Sequence, residues 1–395
     1  MAQLARLGRR GRRGQRSLNP AAPLQPTAEQ AARWRPWMGR ALQLAALGQG
    51  RTSPNPMVGC VVLDASGQLV GEGFHAQAGL PHAEVGALRQ AGARAQGGTA
   101  IVTLEPCCHH GRTPPCSQAL LAAGMGRVVV AMVDPDPRVA GQGLAQLQAA
   151  GVEVIAGVCG EEARTLNRAF IHRVSTGRPL GLLKWAMSLD GRTALPNGSS
   201  QWISGPEARA WVHRLRGQVD AVIVGGGTVR ADDPLLTSRG QGPKEPLRVV
   251  LSRSLELPPQ RQLWDQDLAP TLVVHGPEAS AQGRQQLDHL GVERLELDPC
   301  TPLTVLAALA QRGCNQVLWE CGPTLAAEAI KEGCVQQLAA VIAPKLLGGL
   351  AARTPLGDLG LVDVNEAQQW DGQGLERLGP DWLWQLHNSP RAIQA

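Results

Sequence analysis

The chain has 395 residues, 43% of them hydrophobic, and this length favours two domains over one. The net charge of +5 is explained by the first 30 residues, which contain six arginines and one acidic residue, so the rest of the chain is electrically balanced. Without an excess of basic residues, with no tyrosine and with only two phenylalanines, the rest of the chain lacks the basic surface and most of the aromatic stacking surface of a nucleic-acid-binding protein. Its apolar runs are too short to span a bilayer.

Nine cysteines, an odd number without the spacing of a disulfide framework, indicate a reducing compartment. We therefore expect a cytoplasmic protein with no nucleic-acid or membrane partner. Residues 1–33 are expected to be a disordered basic arm, with a start-site artefact or an Arg-rich transit peptide as alternatives.

After the arm, Pro36 suits the first position of a helix over residues 37–47, which Gly48 and Gly50 would end. The prolines on either side of Asn55 then fix an extended loop that presents one amide. That amide could donate to and accept from the edge of a heterocycle, although Asn between prolines is also an ordinary turn residue.

Strands and helices alternate through the rest of the first half. A hairpin over residues 58–63 and 69–73 is followed by a helix opened by His82. Further segments are predicted in this order: strands at 99–104 and 127–133, a helix at 139–149, a strand at 152–155 and a helix at 161–174. This pattern indicates an α/β sandwich over residues 34–176.

One histidine and two cysteines in this half have the order and spacing of a catalytic zinc site. His82, Cys107 and Cys116 would supply three ligands and leave the fourth tetrahedral position to water, and Glu84 would move protons for that water. Each residue alone is better explained as a buried core residue, whereas the set favours zinc. The loop between the cysteines is basic and could hold a phosphate through His109, His110 and Arg112.

A second α/β domain is predicted over residues 177–390. It opens with an apolar strand that carries Lys184. A later strand runs into three glycines at 225–227, and another precedes a helix that begins after Gly322. Two anion sites of this kind would suit a nucleotide cofactor, although ordinary strand-to-helix turns have the same spacing.

The first half resembles the deaminase half of the bifunctional riboflavin-biosynthesis deaminase/reductase family. The resemblance lies in residues 52–59, 82–84, 105–116 and 134–135. It implies that His82, Cys107 and Cys116 bind Zn2+, that Glu84 donates and accepts protons, and that Asn55 helps to hold the pyrimidine. Cys108 stands where the family usually has Ser, so whether it competes for zinc stays open.

The second half resembles the reductase half of the same family, whose fold is similar to dihydrofolate reductase and whose cofactor is NADPH. The matching segments are residues 184–192, 200–202, 216, 228–233, 236–239, 320–325 and 343–349. The resemblance implies two sets of binding residues. Those that face NADPH are Ala186, Trp202, Thr228, Asp232, Gly322, Pro323, Thr324, Leu325, Ala326, Ala327 and Glu328, and those that face the ribosyl phosphate substrate are Ser200, Arg216, Leu236, Arg239 and Glu320.

Lys184 and Asp232 are the ionisable groups that we expect to support hydride transfer. One departure is Ser252-Arg253, where the family usually has Asp-Ser. A cation there could favour the 2'-phosphate of NADP, but it weakens the residue-by-residue match at this point.

The expected protein is therefore a cytidine-deaminase-like α/β sandwich followed by a dihydrofolate-reductase-like α/β domain. Its substrates would be phosphorylated pyrimidines, and a homo-oligomer, in its simplest form a dimer, is expected. Two other classes share parts of this pattern. A tRNA or nucleoside deaminase would leave the second half unexplained, and an RNA-binding zinc module would need a closed zinc site and no Glu84.

Overall fold

The computed structural model describes residues 25–109 and 114–388. Most of the predicted basic arm, His110 and Arg112 lie outside these ranges. The first half consists of helices α1 (Ala28–Ala46), α2 (Ala83–Ala91), α3 (Cys116–Ala122), α4 (Gln142–Ala149), α5 (Gly160–Leu166) and α6 (Arg168–Thr176) and of strands β1 (Gly59–Leu63), β2 (Leu69–Phe74), β3 (Thr99–Val102), β4 (Arg127–Val130) and β5 (Glu153–Ala156).

The five strands of the first half form one sheet in the order β2-β1-β3-β4-β5. β1 is antiparallel to both β2 and β3, and the remaining pairs are parallel. Alternate residues of β1 point to opposite faces, so Val62 packs with α2, α3 and α4 while Val61 packs with α1 and α5. The first half is therefore a three-layer sandwich, as predicted.

The first helix begins earlier than the sequence indicated. Thr27 caps α1, and its hydroxyl and the Gln30 side chain form a reciprocal capping box. Pro36 lies inside this helix and not at its start, so the predicted start at Pro36 is wrong, and residues 28–33 of the predicted arm are helical. The buried face that includes Trp34 and Met38 holds the helix together on both sides of the proline.

The predicted helix over residues 161–174 is two helices. Asn167 separates α5 from α6, and its side chain accepts from the backbone N–H of Met57 at 2.8 Å and donates to the Met57 carbonyl at 2.9 Å. Asn167 is 1% exposed, so its side chain, which is shielded from water, satisfies both backbone groups of Met57. The break therefore ties α6 to the loop that precedes β1.

The second half contains a nine-stranded sheet in the order β10-β9-β8-β7-β11-β6-β12-β14-β13. Its strands are β6 (Leu180–Ser188), β7 (Ala221–Gly225), β8 (Leu247–Leu251), β9 (Thr271–His275), β10 (Glu293–Glu296), β11 (Gln316–Trp319), β12 (Gln337–Ala343), β13 (Trp370–Leu378) and β14 (Asp381–Asn388). Its helices are α7 (Pro206–Arg216), α8 (Gly226–Asp232), α9 (Ala281–His289), α10 (Pro302–Gln311) and α11 (Pro323–Lys331).

Seven strands of this sheet are parallel, and the hairpin β13–β14 adds an antiparallel edge. Helices α7, α8 and α9 cover one face, and α10 and α11 cover the other. Ligands of open α/β sheets bind at the carboxyl ends of the strands. Within residues 25–109 and 114–388, no helix has the length and apolar character needed to cross a membrane.

Candidate functional sites

The predicted zinc ligands converge at two helix starts. His82 is the N-cap of α2, and Cys116 is the first residue of α3. Nδ1 of His82 lies 3.2 Å from Sγ of Cys116 and 3.7 Å from Sγ of Cys107, and the three donor atoms all lie within 4.8 Å of one another. Ligand atoms around a tetrahedral zinc ion are about 3.6 Å apart, so the three side chains fit this metal.

The two ligand cysteines share a hydrogen bond that shifts their pKa values in opposite directions. The hydrogen bond with the Cys116 side chain lowers the pKa of Cys107 to about 4, and the same contact together with burial raises the pKa of Cys116. The backbone N–H of Cys116 also donates to Sγ of Cys107 at 3.3 Å. A thiolate is the form of cysteine that binds metal, so Cys107 is ready to ligate. Cys108 lies outside the ligand cluster that the described residues form.

Glu84 lies in the first turn of α2, and its side chain is 3% exposed. It lines a cavity of about 250 Å³ together with His82 and Cys107. Burial raises the pKa of Glu84, so this carboxyl holds a proton more readily than an exposed one. Its position beside the ligands and its basicity both suit a group that accepts and returns protons.

Asn55 lines the same cavity, and a histidine that sequence reasoning missed fixes its orientation. Nδ1 of His75 donates to the Pro81 carbonyl at 3.3 Å, which leaves Nε2 as an acceptor for Nδ2 of Asn55 at 3.0 Å. Burial lowers the pKa of His75, which favours this neutral form. The side-chain oxygen Oδ1 of Asn55 is then free to accept a hydrogen bond from a ligand. His75 stands alone at the end of β2, so the sequence carried no signal for it.

A second feature missed from the sequence is the loop after β4. The carboxylate of Glu105 accepts from four backbone N–H groups of this loop, those of Asp134, Gly141, Gly143 and Leu144. It thereby holds Asp134, Asp136 and Arg138 on the cavity wall, where His109 also lies. Burial raises the pKa of Asp134 to about 6, and Asp136 is paired with Arg138.

The second half contains a cavity of about 610 Å³ at the carboxyl ends of β6 and β11. Eight of the residues predicted from the sequence line it: Lys184, Ala186, Ser200, Trp202, Arg216, Asp232, Arg239 and Glu320. Trp202 is 60% exposed, and the guanidinium of Arg209 lies 4.6 Å from the centre of its ring. Leu236, in contrast, packs into the hydrophobic core, so the predicted contact between its side chain and substrate is not supported.

Arg216 is not a free cation for a phosphate. Its Nε and one terminal nitrogen donate to the two oxygens of Glu320 at 2.6 and 3.1 Å, and the other donates to the Thr237 carbonyl at 3.2 Å. Lys184 lies 4.0 Å from the same carboxylate, and burial lowers the pKa of this lysine. Arg239 is exposed at the cavity, which leaves it as the better candidate for a phosphate contact.

An adjoining cavity of about 460 Å³ combines glycine backbone with a helix start. Gly225, Gly227 and Thr228 line one side, and Gly322 and residues 323–325 line the other. The N–H groups of Thr324 and Leu325 lie in the first turn of α11, where helix geometry leaves them without intrahelical partners. A Cβ at Gly227 would have open space around it, so a bulky anion could approach this backbone. The residues fit a pyrophosphate-bearing cofactor.

Three of the predicted cofactor contacts lie further along α11. Ala326 and Ala327 are buried on its core side, and Glu328 pairs with Lys331 at 3.3 Å. Asp232 lies on the walls of both cavities, and partial burial raises its pKa. The two cavities therefore meet at Asp232, Ser200 and Glu320.

Known proteins match both halves of the chain. The family model for the cytidine and deoxycytidylate deaminase zinc-binding region matches residues 33–132, and the model for the RibD C-terminal domain matches residues 179–384. The chain is 51% identical to the riboflavin biosynthesis protein RibD of Synechocystis and 42% identical to that of Escherichia coli. These alignments cover 88% and 87% of the chain and 94% and 96% of the two relatives.

Solved structures agree with these matches. A structure of Acinetobacter baumannii RibD is 41% identical with a TM-score of 0.83, and covers 91% of this chain and 99% of its own. A diaminohydroxyphosphoribosylaminopyrimidine deaminase/5-amino-6-(5-phosphoribosylamino)uracil reductase from Thermotoga maritima is 33% identical with a TM-score of 0.81 at the same coverage. Both halves of the chain, and their arrangement, are thus found together in known proteins.

Proposed function

The chain belongs to the RibD family of riboflavin-biosynthesis proteins, which carry a deaminase and a reductase domain, and on this premise we propose which reactions its two sites perform. The first site, in residues 34–176, removes the ring amino group of 2,5-diamino-6-(5-phosphoribosylamino)pyrimidin-4(3H)-one. The second, in residues 177–390, uses NADPH to reduce the ribosyl group of 5-amino-6-(5-phosphoribosylamino)uracil to ribityl. The observation that carries the proposal is the convergence of His82, Cys107 and Cys116 beside Glu84.

In the deamination, Glu84 moves the protons. Zinc held by the three ligands would supply a Lewis acid that activates water against the amino-bearing carbon. Glu84 takes one proton from that water and gives it to the ring nitrogen. After the attack it takes the second proton from the new hydroxyl and gives it to the departing amine, so that one water is consumed and one ammonia leaves. The free carbonyl oxygen of Asn55, set by its bond to His75, accepts from the pyrimidine and orients it.

In the reduction, the reactive carbon is C1 of the sugar. NADPH would supply the hydride to this carbon, and the ring oxygen of the opened sugar takes up a proton. Residues of α11 and the glycine turn after β7 would hold the pyrophosphate, with Ala186 and Trp202 beside the nicotinamide. Arg239 would bind the substrate phosphate, and Lys184 or Asp232 would supply the proton.

The state of the cysteines also supports a cytoplasmic location, because all nine are free thiols.

A homo-oligomer is supported by the outer hairpin β13–β14, which exposes Leu375, Trp382 and Trp384 to solvent. Light scattering of the purified protein in solution tests the dimer.

The proposed function is tested by giving the zinc-loaded protein the diaminopyrimidine ribotide with and without NADPH. Ammonia should be released in both cases, and NADPH should be oxidised only after deamination has begun. Deamination of free cytidine or of a tRNA in place of the ribotide, or ammonia release from zinc-free protein, would contradict the proposal.

A further inference from the structure

The loop that carries Asn55 lies against the second half of the chain. Gly50 has a φ of +76°, and a Cβ there would lie 2.6 Å from the carbonyl oxygen of Gly217. A Cβ at Gly313 would likewise contact the ring of Pro54 at 3.4 Å. Only glycine allows so close an approach at Gly50, so the loop and the second domain are in direct backbone contact.

Hydrogen bonds from Asn315 of the second half and from Arg173 of α6 fix the backbone carbonyls of Asn55 and Pro54. Nδ2 of Asn315 donates to the Asn55 carbonyl at 3.4 Å, and a terminal nitrogen of Arg173 donates to the Pro54 carbonyl at 2.8 Å. Nε of Arg173 donates in turn to Oδ1 of Asn315 at 2.5 Å. Asn315 is 6% exposed, so this network is shielded from water.

One carboxylate of the second half joins the same network. Oδ2 of Asp220 accepts from the Ser53 hydroxyl at 2.9 Å and from the backbone N–H of Asn315 at 2.7 Å, while Oδ1 accepts from Lys244 at 3.0 Å. The Asp220 side chain is 9% exposed. A single carboxylate therefore holds both the loop of the first half and the residue that bonds to Asn55.

We propose that Asn315 and Asp220, which belong to the reductase half, are positioning residues for the deaminase site. The Asn55 side chain is held by His75 from within the first half, and its backbone is held by Asn315 from the second. With both fixed, the side-chain oxygen Oδ1 of Asn55 is aimed at the pyrimidine before it binds, which reduces the entropy lost on binding. This inference rests on the deaminase reaction proposed above.

The position of the two residues in the fold separates them from the reductase site. Asp220 and Asn315 precede the amino ends of β7 and β11, whereas Gly225 and Glu320 lie at the carboxyl ends of those strands. Five residues of extended strand separate Asn315 from Glu320 by about 16 Å. Substitution at Asn315 should therefore change deamination and leave the reductase site unchanged.

The proposal is tested by measuring KM and kcat for steady-state deamination by the Asn315→Ala variant. Loss of the Asn315 bonds should raise KM for the diaminopyrimidine ribotide about tenfold with little change in kcat, because the zinc ligands and Glu84 are untouched. Asn315→Asp keeps the acceptor for Arg173 and loses the donor to Asn55, so its KM should lie between those of Asn315→Ala and the parent. Zinc content and NADPH oxidation with the deaminated intermediate should not change.

Arg294→Ala is the matched control, since it removes an exposed ion pair with Asp288 from the same half without contact to the loop. Ser53→Ala removes the hydrogen bond between the Ser53 hydroxyl and Asp220 from the deaminase side. This variant takes the place of Asn315→Ala in the test if Asn315→Ala does not fold. We expect a rise in KM of about threefold for Ser53→Ala. An unchanged KM in the folded variants, or an equal rise in Arg294→Ala, would overturn the proposal.

Hydrogen exchange tests the same point without turnover. The Asn55 N–H donates to the Thr52 carbonyl at 2.7 Å, and it should exchange faster in Asn315→Ala and Ser53→Ala than in Arg294→Ala. Faster exchange in a protein that releases no ammonia would count against the proposed function and in favour of the positioning role. Unchanged exchange would count against the positioning role itself.

Discussion

At the zinc site, charge and burial divide the chemistry among neighbouring side chains. The pKa of Cys107 is lowered by its hydrogen bond with Cys116, that of Glu84 is raised by burial, and the ring of His75 bonds to the Asn55 amide, so the proposed mechanism gives these groups different roles. Each role follows from what surrounds the group, because burial favours neutral forms and a hydrogen-bond donor favours the anion.

Glu84→Gln separates proton transfer from metal binding. The amide keeps the shape of the side chain but cannot accept and return a proton, so deamination should fall by at least about a hundredfold. Zinc content should remain that of the parent, because the three ligands are unchanged. We would measure bound zinc by atomic absorption and ammonia release on the same sample. Loss of the metal would make Glu84 a ligand and remove its role as the base.

Cys108→Ser should be nearly silent. Cys108 lies outside the cluster of His82, Cys107 and Cys116, so zinc content and deamination should stay close to those of the parent. Cys107→Ser is the matched control and should lose most of its zinc, since a hydroxyl does not replace a thiolate as a zinc ligand. A large fall in zinc content in Cys108→Ser alone would show that the assignment of the ligand has to be exchanged.

At the scale of single elements, junctions between helices and strands fix the functional loops. Asn167 interrupts the helical run of α5 and α6 and bonds to both backbone groups of Met57, which follows the Asn55 loop. Asp190, at the turn after β6, accepts from the backbone N–H groups of Leu347 and Gly348 and thereby ties two loops of the second half together.

Asn167→Ala should destabilise the first half. Two backbone groups of the partly buried Met57 would lose their partner, which costs about 2–4 kcal/mol in the free energy of unfolding. Urea denaturation measures this loss, and Asn167→Asp, which keeps the acceptor for the Met57 N–H, should lie between Asn167→Ala and the parent. A change below about 0.5 kcal/mol in Asn167→Ala would mean that water satisfies the Met57 groups.

The free energy of unfolding should depend on pH through the carboxyl group of Asp190. Hydrogen bonds from Ser188, Leu347 and Gly348 lower the pKa of Asp190 to about 2. A carboxyl whose pKa is lower in the folded state stabilises the fold above its unfolded pKa and loses this effect as pH falls through the folded pKa. The stability difference between the parent and Asp190→Asn should therefore be full at pH 6 and shrink between about pH 4 and pH 2. Thermal midpoints measured across this range check it, and a constant difference would contradict it.

The elements that could be predicted were those whose signals are local. The hairpin β1–β2 was expected from two short segments separated by a turn at residues 64–67, and α2 from the start at His82. The start of α1 was wrong because Pro36 was given more weight than the capping box at Thr27. The break at Asn167 depends on Met57, which is 110 residues away, so local patterns could not indicate it.

The same distinction holds for the site residues. The zinc ligands lie in short motifs, whereas the partners of the Pro54–Asn55 segment come from three separate parts of the chain, at His75, Arg173 and Asn315. The pairing of Arg216 with Glu320 joins residues that are 104 apart in the chain, so it could not be predicted from local patterns. Arg216 and Arg239 were both predicted to bind a phosphate, and within the residues that the structure describes Arg239 is left as the unpaired one of these two. The role of a side chain whose partners are far away in the sequence can be assigned only once the fold is known.

At the scale of the whole molecule, the cavities divide between the two sheets. The cavity lined by Glu84 belongs to the five-stranded sheet, and the two adjoining cavities of the second half lie at the carboxyl edge of the nine-stranded sheet. The halves meet at the loop of Asn55 and at the amino ends of β7 and β11. This contact supports the deaminase site without placing any reductase cavity residue in it.

The central claim, two reactions at two sites, is tested most directly by Arg239→Ala. Arg239 lines the reductase cavity and takes no part in the contact between the halves described above, and loss of one charge-assisted bond to a phosphate costs about 1.5–3 kcal/mol. NADPH oxidation at low concentrations of the phosphorylated intermediate should therefore fall about ten- to a hundredfold, while zinc-dependent ammonia release stays at the parent rate. An equal loss of both rates in the folded variant would mean that the two halves form one composite site, and would contradict the account.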